Sequence, residues 1–196
     1  MTYQRHLSQA DPVMRVLVQR YTLRRISVAK DPLEELVASI VSQQLSVKAA
    51  DTIWKRFLAL YRGRMPSAPR LIATPIERIR TCGVSGSKAA YIKNVADAFR
   101  RGHLDRAHLM RMNDDEVRAR LVAIKGVGNW TAEMFLIFAL GRPDIFSVGD
   151  VGLQNAIQKL YRKRPTPKTM ERLARAWAPY RSYAARYLWK SLDNTP

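Results

Sequence analysis

The chain is almost without cysteine: Cys82 is the only one in 196 residues. One thiol excludes a disulfide framework and a four-cysteine iron–sulfur cluster. Histidine is nearly as scarce. His6, His103 and His108 share no ligand spacing with one another or with Cys82, so a zinc site is not expected. No apolar run approaches the ~18 to 20 residues of a membrane span. The first residues, MTYQRHLSQADP, carry no hydrophobic signal core. A soluble, cytoplasmic chain is expected. Negative charge is the last shortage. Sixteen Asp and Glu stand against 34 Lys and Arg, a formal net charge of +18. A genome rich in arginine codons would exchange Lys for Arg, not create such a surplus. The excess favours a polyanionic partner, nucleic acid ahead of an anionic membrane surface or a ribosome.

What is present reads as helix. Four times a capping residue precedes proline: Asp11-Pro12, Asp31-Pro32, Thr74-Pro75 and Thr166-Pro167. The side-chain oxygen can accept from first-turn N–H groups, and proline at the first helical position loses no needed donor. Glu34 and Glu77 fall three residues after two of these caps, and Asn113 with Glu116 makes a third capping-box pattern. Leu33, Leu36, Val37, Ile40 and Val41 follow the i, i+3, i+4, i+7, i+8 stripe of a helix face. The patterns predict helices near 11–21, 32–44, 46–61, 75–81, 86–101, 114–124, 130–140, 150–161, 168–178 and 180–192. Residues 22–29 (TLRRISVA) are the one weak strand candidate. An all-α fold follows. Residues 130–140 (WTAEMFLIFAL) are apolar nearly all round, so that helix should be buried. The loop 62–70 (RGRMPSAPR) is the expected internal boundary, with a cleft between two lobes of one helical domain spanning 1–196.

The most informative stretch is 121–157, LVAIKGVGNWTAEMFLIFALGRPDIFSVGDVGLQNAI. A helix ends near Ile124, Gly126-Val127-Gly128 turns the chain, and a buried helix starts near Trp130. Two glycines permit positive φ and close backbone approach. A helix start offers unpaired N–H groups to an anion. Such a hairpin can grip a nucleic-acid backbone without reading sequence. A dinucleotide site is excluded, since no strand precedes the glycines and no third glycine follows. Further on, Asp150 follows Val148-Gly149 at a helix start, where the dipole favours its charge. An ordinary N-cap is the competing reading.

These segments together resemble the helix-hairpin-helix, glycine/proline-rich-loop, aspartate (HhH-GPD) DNA glycosylases, in their alkylation-repair branch of the 3-methyladenine glycosylase II type. IKGVGNWTAE is similar to the hairpin, RPDIFSVGDVGLQNAI to the loop with its aspartate, IVSQQLSVKAA (40–50) to the segment pushed into DNA, and WAPYRSYAARYLW (177–189) to the C-terminal helices. The likeness runs through residues 31–192, and the branch's N-terminal β-rich domain has no counterpart in it.

The resemblance implies an N-glycosylase acting on double-stranded DNA, with Asp150 as the catalytic carboxylate. It releases alkylated bases of the 3-methyladenine and 7-methylguanine kind, starting base excision repair. Relatives that also cut the strand carry a Schiff-base lysine where this chain has Trp130, so only base release is implied. Trp130 and Trp189 match positions lining the base pocket. Met134 departs from an expected tyrosine there. Gln44, with Leu45 beside it, matches the wedge that fills the gap left by a flipped base, and Gln43 would contact DNA nearby. Lys125, Gly126, Val127, Gly128, Asn129 and Arg181 match DNA-contacting positions, and Lys48, Arg64 and Lys88 are further basic candidates. No cofactor is implied. The carbonyls of Val122, Lys125 and Val127 match positions that can hold a Na or K ion. A monomer is expected. The competing functions are a non-catalytic helix-hairpin-helix DNA-binding protein, a basic helical scaffold, and a glycosylase for oxidised or mismatched bases.

Overall fold

The structure is a computed structural model that describes residues 2–193. The described residues form thirteen α-helices and one π-helical turn, with no strand. The chain divides into two compact units. One is continuous, Val28–Leu140. The other joins the two ends of the chain, the residues through Ser27 with those from Gly141 onward. The expected boundary in 62–70 is therefore wrong. That stretch lies inside the continuous unit and already starts a helix at Ala68.

In the discontinuous unit, α1 (Tyr3–Ala10) and α2 (Pro12–Arg20) come from the N-terminal segment. The later helices are α11 (Val151–Tyr161), α12 (Pro167–Arg175) and α13 (Arg181–Asp193). Leu7, Met14, Leu153, Ile157, Met170, Trp177 and Leu188 form its core. Asp11 organises the corner between α1 and α2. It is 6% exposed, and a carboxylate so buried needs donors. Oδ1 accepts from the amides of Val13 (2.8 Å) and Met14 (3.1 Å), while Oδ2 accepts from Tyr161 Oη (2.8 Å) and Trp177 Nε1 (3.0 Å). One side chain thus caps α2 and ties it to the end of α11 and to the core tryptophan. Burial, then the Asp11 carboxylate, push the Tyr161 hydroxyl far above its ordinary range. Helix α1 was not predicted. It buries only Tyr3 and Leu7, too few apolar positions for a legible period.

In the continuous unit the helices are α3 (Pro32–Ser42), α4 (Val47–Ala59), α5 (Ala68–Ala73), α6 (Ile76–Arg80), α7 (Gly86–Arg100), α8 (Arg106–Arg111), α9 (Asp114–Val122) and α10 (Asn129–Met134). A π-helical turn, Phe135–Ala139, continues α10. Every apolar residue of the predicted α3 stripe is buried. So are Ala132, Met134, Phe135, Leu136, Ile137 and Ala139, as the apolar run implied, although Phe138 keeps 40% of its surface. α3 packs against α4, α7, α10 and the π turn. α5 and α8 were not predicted; each is six residues long with one buried residue, Leu71 and Leu109 respectively.

Three of the four capping-residue–proline pairs cap as predicted: Asp11, Asp31 and Thr166. Thr74 does not. Its hydroxyl donates to Arg70 O (2.8 Å) and accepts from Tyr61 Oη (3.1 Å), so it closes α5, and α6 starts without a side-chain cap. The reciprocal box closes at Asn113–Glu116. Residues 22–29 are not a strand. Side chains, not a neighbouring strand, meet several of their polar groups: Tyr3 Oη donates to Leu23 O, Arg186 to Arg24 O, and Ile26 N–H donates to Tyr183 Oη.

Asp11→Ala removes four hydrogen bonds and leaves buried donors unmet, so it should cost about 3 to 4 kcal/mol of folding stability. Urea denaturation of both proteins reads this directly. An unchanged midpoint would show that the corner holds without its carboxylate.

Candidate active site

The turn between α9 and α10 is built around Gly126. Its φ is +105°, in the region that favours glycine. A Cβ there would lie 2.1 Å from Cγ of Tyr91, so the tyrosine ring of α7 occupies the space a side chain would need. Asn94, one turn along α7, donates from Nδ2 to Lys125 O (3.0 Å). Gln43 donates from Nε2 to Gly126 O (3.3 Å) and Thr131 Oγ1 (2.9 Å). Gly128 is different. Its backbone is extended (φ −92°, ψ 177°), and a Cβ would meet nothing within 4 Å. The fold needs the first glycine and leaves the second facing open space. Lys125, Gly128 and Asn129 are exposed, and Val127 is buried beneath them. Trp130 is half-buried and Met134 buried within the same unit.

The corner after α3 carries the expected wedge. Gln43 is half-buried, Gln44 and Leu45 are exposed, and Ser46 caps α4 through its hydroxyl. Gln44 adopts φ +56°, left-handed for a residue with a Cβ. Non-glycine residues in that region cluster at functional sites, where the surroundings hold them. Two sequence candidates have other partners than DNA phosphate. The Lys88 ammonium donates to Val41 O (2.8 Å) and Gln43 O (2.7 Å), and burial pulls its pKa below the ordinary lysine value. The Gln43 amide is bonded to the turn, as above. Lys48 and Arg64 are exposed.

In the discontinuous unit Asp150 is 7% exposed and is the N-cap of α11. Oδ1 accepts from Leu153 N (2.7 Å) and from Trp189 Nε1 on α13 (2.8 Å). The N-cap reading of the sequence is therefore correct, and it does not compete with chemistry. The cap orients the carboxylate at the positive end of a helix. Gly152 makes the contact fit: a Cβ there would stand 3.1 Å from both Asp150 Oδ1 and Trp189 Cδ1.

The loop leading to Asp150 is fastened to the start of α13. Asp144 accepts from Arg181 Nε and Nη2 (2.8 Å each) and from its backbone N (3.1 Å). The Ser182 hydroxyl accepts from Ile145 N (2.9 Å) and donates to Arg142 O (2.8 Å). Arg181, a candidate DNA contact in the sequence, is thus a fork-to-carboxylate partner of Asp144.

The stretch that holds this hairpin and Asp150 matches a known family. Residues 37–180 fit the model for the HhH-GPD superfamily base excision DNA repair protein. The chain belongs to this superfamily. It is 36% identical to the DNA-3-methyladenine glycosylase 1 of Schizosaccharomyces pombe, over 95% of this chain and 85% of that protein. Among solved structures, the S. pombe 3-methyladenine DNA glycosylase Mag1 in complex with abasic DNA superposes with a TM-score of 0.91 at 34% identity, covering 98% of this chain and 97% of that one. A DNA-3-methyladenine glycosidase from Bacillus halodurans gives 0.81 at 36% identity, covering 99% and 90%.

Within an HhH-GPD chain, sequence reasoning missed the supports: Tyr91, Asn94 and Thr131 around the hairpin, Gly152 beside the aspartate, and Asp144 under Arg181. Gly152 was the most findable, a glycine inside a predicted helix two residues after the singled-out aspartate. The others are polar or aromatic residues on amphipathic helices, with no local mark.

Gly126→Ala should cost about 2 to 4 kcal/mol, from left-handed strain and overlap with Tyr91. Gly128→Ala should stay within about 0.5 kcal/mol of wild type. Thermal melts of the pair test this asymmetry, and equal losses would refute it.

Proposed function

We propose that this chain is a monofunctional DNA glycosylase that removes alkylated purines from double-stranded DNA and leaves an abasic site. The observation that carries the reading is Asp150: a carboxylate almost withdrawn from water, held by Trp189 Nε1 and an α11 amide, in an HhH-GPD chain whose relatives are named for 3-methyladenine release.

The chemistry follows from the bond. As the glycosidic C–N bond stretches, positive charge gathers on the sugar. A fixed carboxylate stabilises that charge and can orient or deprotonate the water that adds to C1′. The base departs with the bonding electrons, which an alkylated, cationic base accepts readily. Trp130 stands where a lyase would carry lysine, so the sugar meets no amine there and the strand stays intact. A cationic base is attracted to an aromatic face by ~0.5 to 2 kcal/mol. Trp130, Trp189 and Met134 are proposed to supply the base's surroundings.

On the DNA, Gln44 and Leu45 would fill the vacated stack, and the turn at Lys125, Gly126, Val127, Gly128 and Asn129 would hold a phosphate, with Gly128 leaving room for the backbone. Gln43 and Arg181 would act nearby. A hard monovalent cation suits the carbonyl oxygens of Val122, Lys125 and Val127. Lys125 O accepts one hydrogen bond from Asn94, and a carbonyl has a second lone pair for such an ion. The chain would act as a monomer in the cytoplasm, at the nucleoid. No described helix is long and apolar enough to cross a membrane.

The test is base release from methylated duplex DNA by wild type and Asp150→Asn, with strand breaks scored before and after alkali. Wild type should release purines, breaks should appear only after alkali, and the variant should be about 10²- to 10⁴-fold slower. Binding without release by either protein would favour a non-catalytic DNA-binding protein.

A further inference from the structure

The corner that carries Gln44 and the turn that carries Gly128 are held together by one helix. Three residues along one side of α7 divide the task. Lys88 reaches the corner, Tyr91 packs on Gly126, and Asn94 bonds Lys125 O. Gln43 closes the circuit by bonding the corner directly to Gly126 O and Thr131 Oγ1.

The Lys88 contacts are placed where they control Gln44. Val41 O belongs to the last turn of α3, where carbonyls lack helical partners and a cation is favoured. Gln43 O is the more telling acceptor. A peptide unit is planar, so the Gln43 carbonyl and the Gln44 N–H move as one body. Fixing that carbonyl at 2.7 Å fixes the plane from which Gln44 turns into its left-handed φ of +56°. A residue with a Cβ stays there only when its surroundings over-determine it. Lys88 supplies that constraint. The ammonium faces two carbonyls, and no described carboxylate pairs with it. Its partners are therefore the corner's backbone, which a role as a general surface charge does not explain.

We infer that Lys88 is a positioning residue for strand insertion: it holds Gln44 in the left-handed conformation and, through α7, locks the corner to the 126–128 turn, so that gripping the backbone and filling the gap of an extruded base are one event. This rests on the glycosylase reading above. Lys88 acts through Gln44 and touches neither the base nor the sugar. Its loss should therefore slow lesions that must be pulled from a base pair and spare those already unpaired. A phosphate-contacting lysine would behave differently, weakening all duplex binding and lowering the salt slope by about one.

The experiment compares wild type, Lys88→Met and Lys88→Arg in single-turnover release of 7-methylguanine. The lesion is placed opposite cytosine and, separately, opposite a one-nucleotide abasic spacer. Lys88→Met should be about 10- to 100-fold slow on the paired lesion, the scale of a lost contribution to base extrusion. It should stay within about 3-fold of wild type on the unpaired lesion, with unchanged affinity and salt slope on undamaged duplex. Lys88→Arg, which keeps the donors, should recover most of the paired rate. Equal loss on both substrates, no loss on either, or a reduced salt slope would each overturn the inference. Amide hydrogen exchange on the free proteins gives a readout independent of activity. Exchange at Leu45, whose N–H donates to Ser42 O (3.1 Å) across the corner, should quicken in Lys88→Met and not in Lys88→Arg, and unchanged exchange would overturn the positioning role. An inert wild type on both substrates would sink the glycosylase reading, while the exchange result still decides the contact. If Lys88→Met fails to fold, Lys88→Gln takes its place in every arm.

Discussion

A carboxylate removed from water must find donors, and the discontinuous unit is arranged around two that have done so. Asp11 collects two amides, a phenol and an indole. Asp150 collects an amide and another indole. Each sits at a helix start, because three or four unsatisfied N–H groups gather there in a small volume. The difference lies in where each one sits. Asp11 is bonded through both oxygens and closes a corner of the core. Asp150 lies at the end of a loop and is bonded through Oδ1 to α11 and α13. Gly152 suits the indole contact, since a Cβ there would stand a tight 3.1 Å from both partners. The setting of the Asp150 carboxylate is therefore shaped by a position that carries no side chain.

The continuous unit meets a different requirement: an exposed stretch of backbone that is nonetheless tied down. Its two glycines divide that requirement. Gly126 is enclosed by Tyr91 and takes the positive φ, while Gly128 has open space where a Cβ would point. Rigidity comes from side chains that bond to backbone carbonyls. Asn94 holds Lys125, Gln43 holds Gly126, and Lys88 holds Val41 and Gln43. Side-chain bonds of this kind satisfy carbonyls that helix ends leave without partners, and here they fix the two exposed segments relative to each other.

Much of this was legible beforehand, for identifiable reasons. The α3 stripe and the apolar run after Trp130 carry strong periodicities, and both are buried as read. The Asp-Pro pairs signal helix starts because cap and proline act within three residues of each other. Legibility failed where the signal was short or the partner distant. α1, α5 and α8 bury one or two residues each. Thr74 has the same local pattern as Asp31, yet its hydroxyl is drawn to Tyr61 and Arg70. The boundary in 62–70 was inferred from composition, whereas the chain divides by contacts between its two ends.

By itself the sequence determined the all-helical class, the placement of most helix starts, the glycine turn before a buried helix, and an aspartate at a helix N-terminus within a basic chain. These are local properties, set by residues within a few positions of one another. Tertiary structure alone decided that Arg181 pairs with Asp144, that Trp189 holds Asp150, that Lys88 turns inward onto the Gln43 carbonyl, and that Gln44 is left-handed. Each joins groups distant in sequence, or depends on such a join. Hydrogen bonding between them is governed by where folding brings the acceptors, which no local pattern encodes.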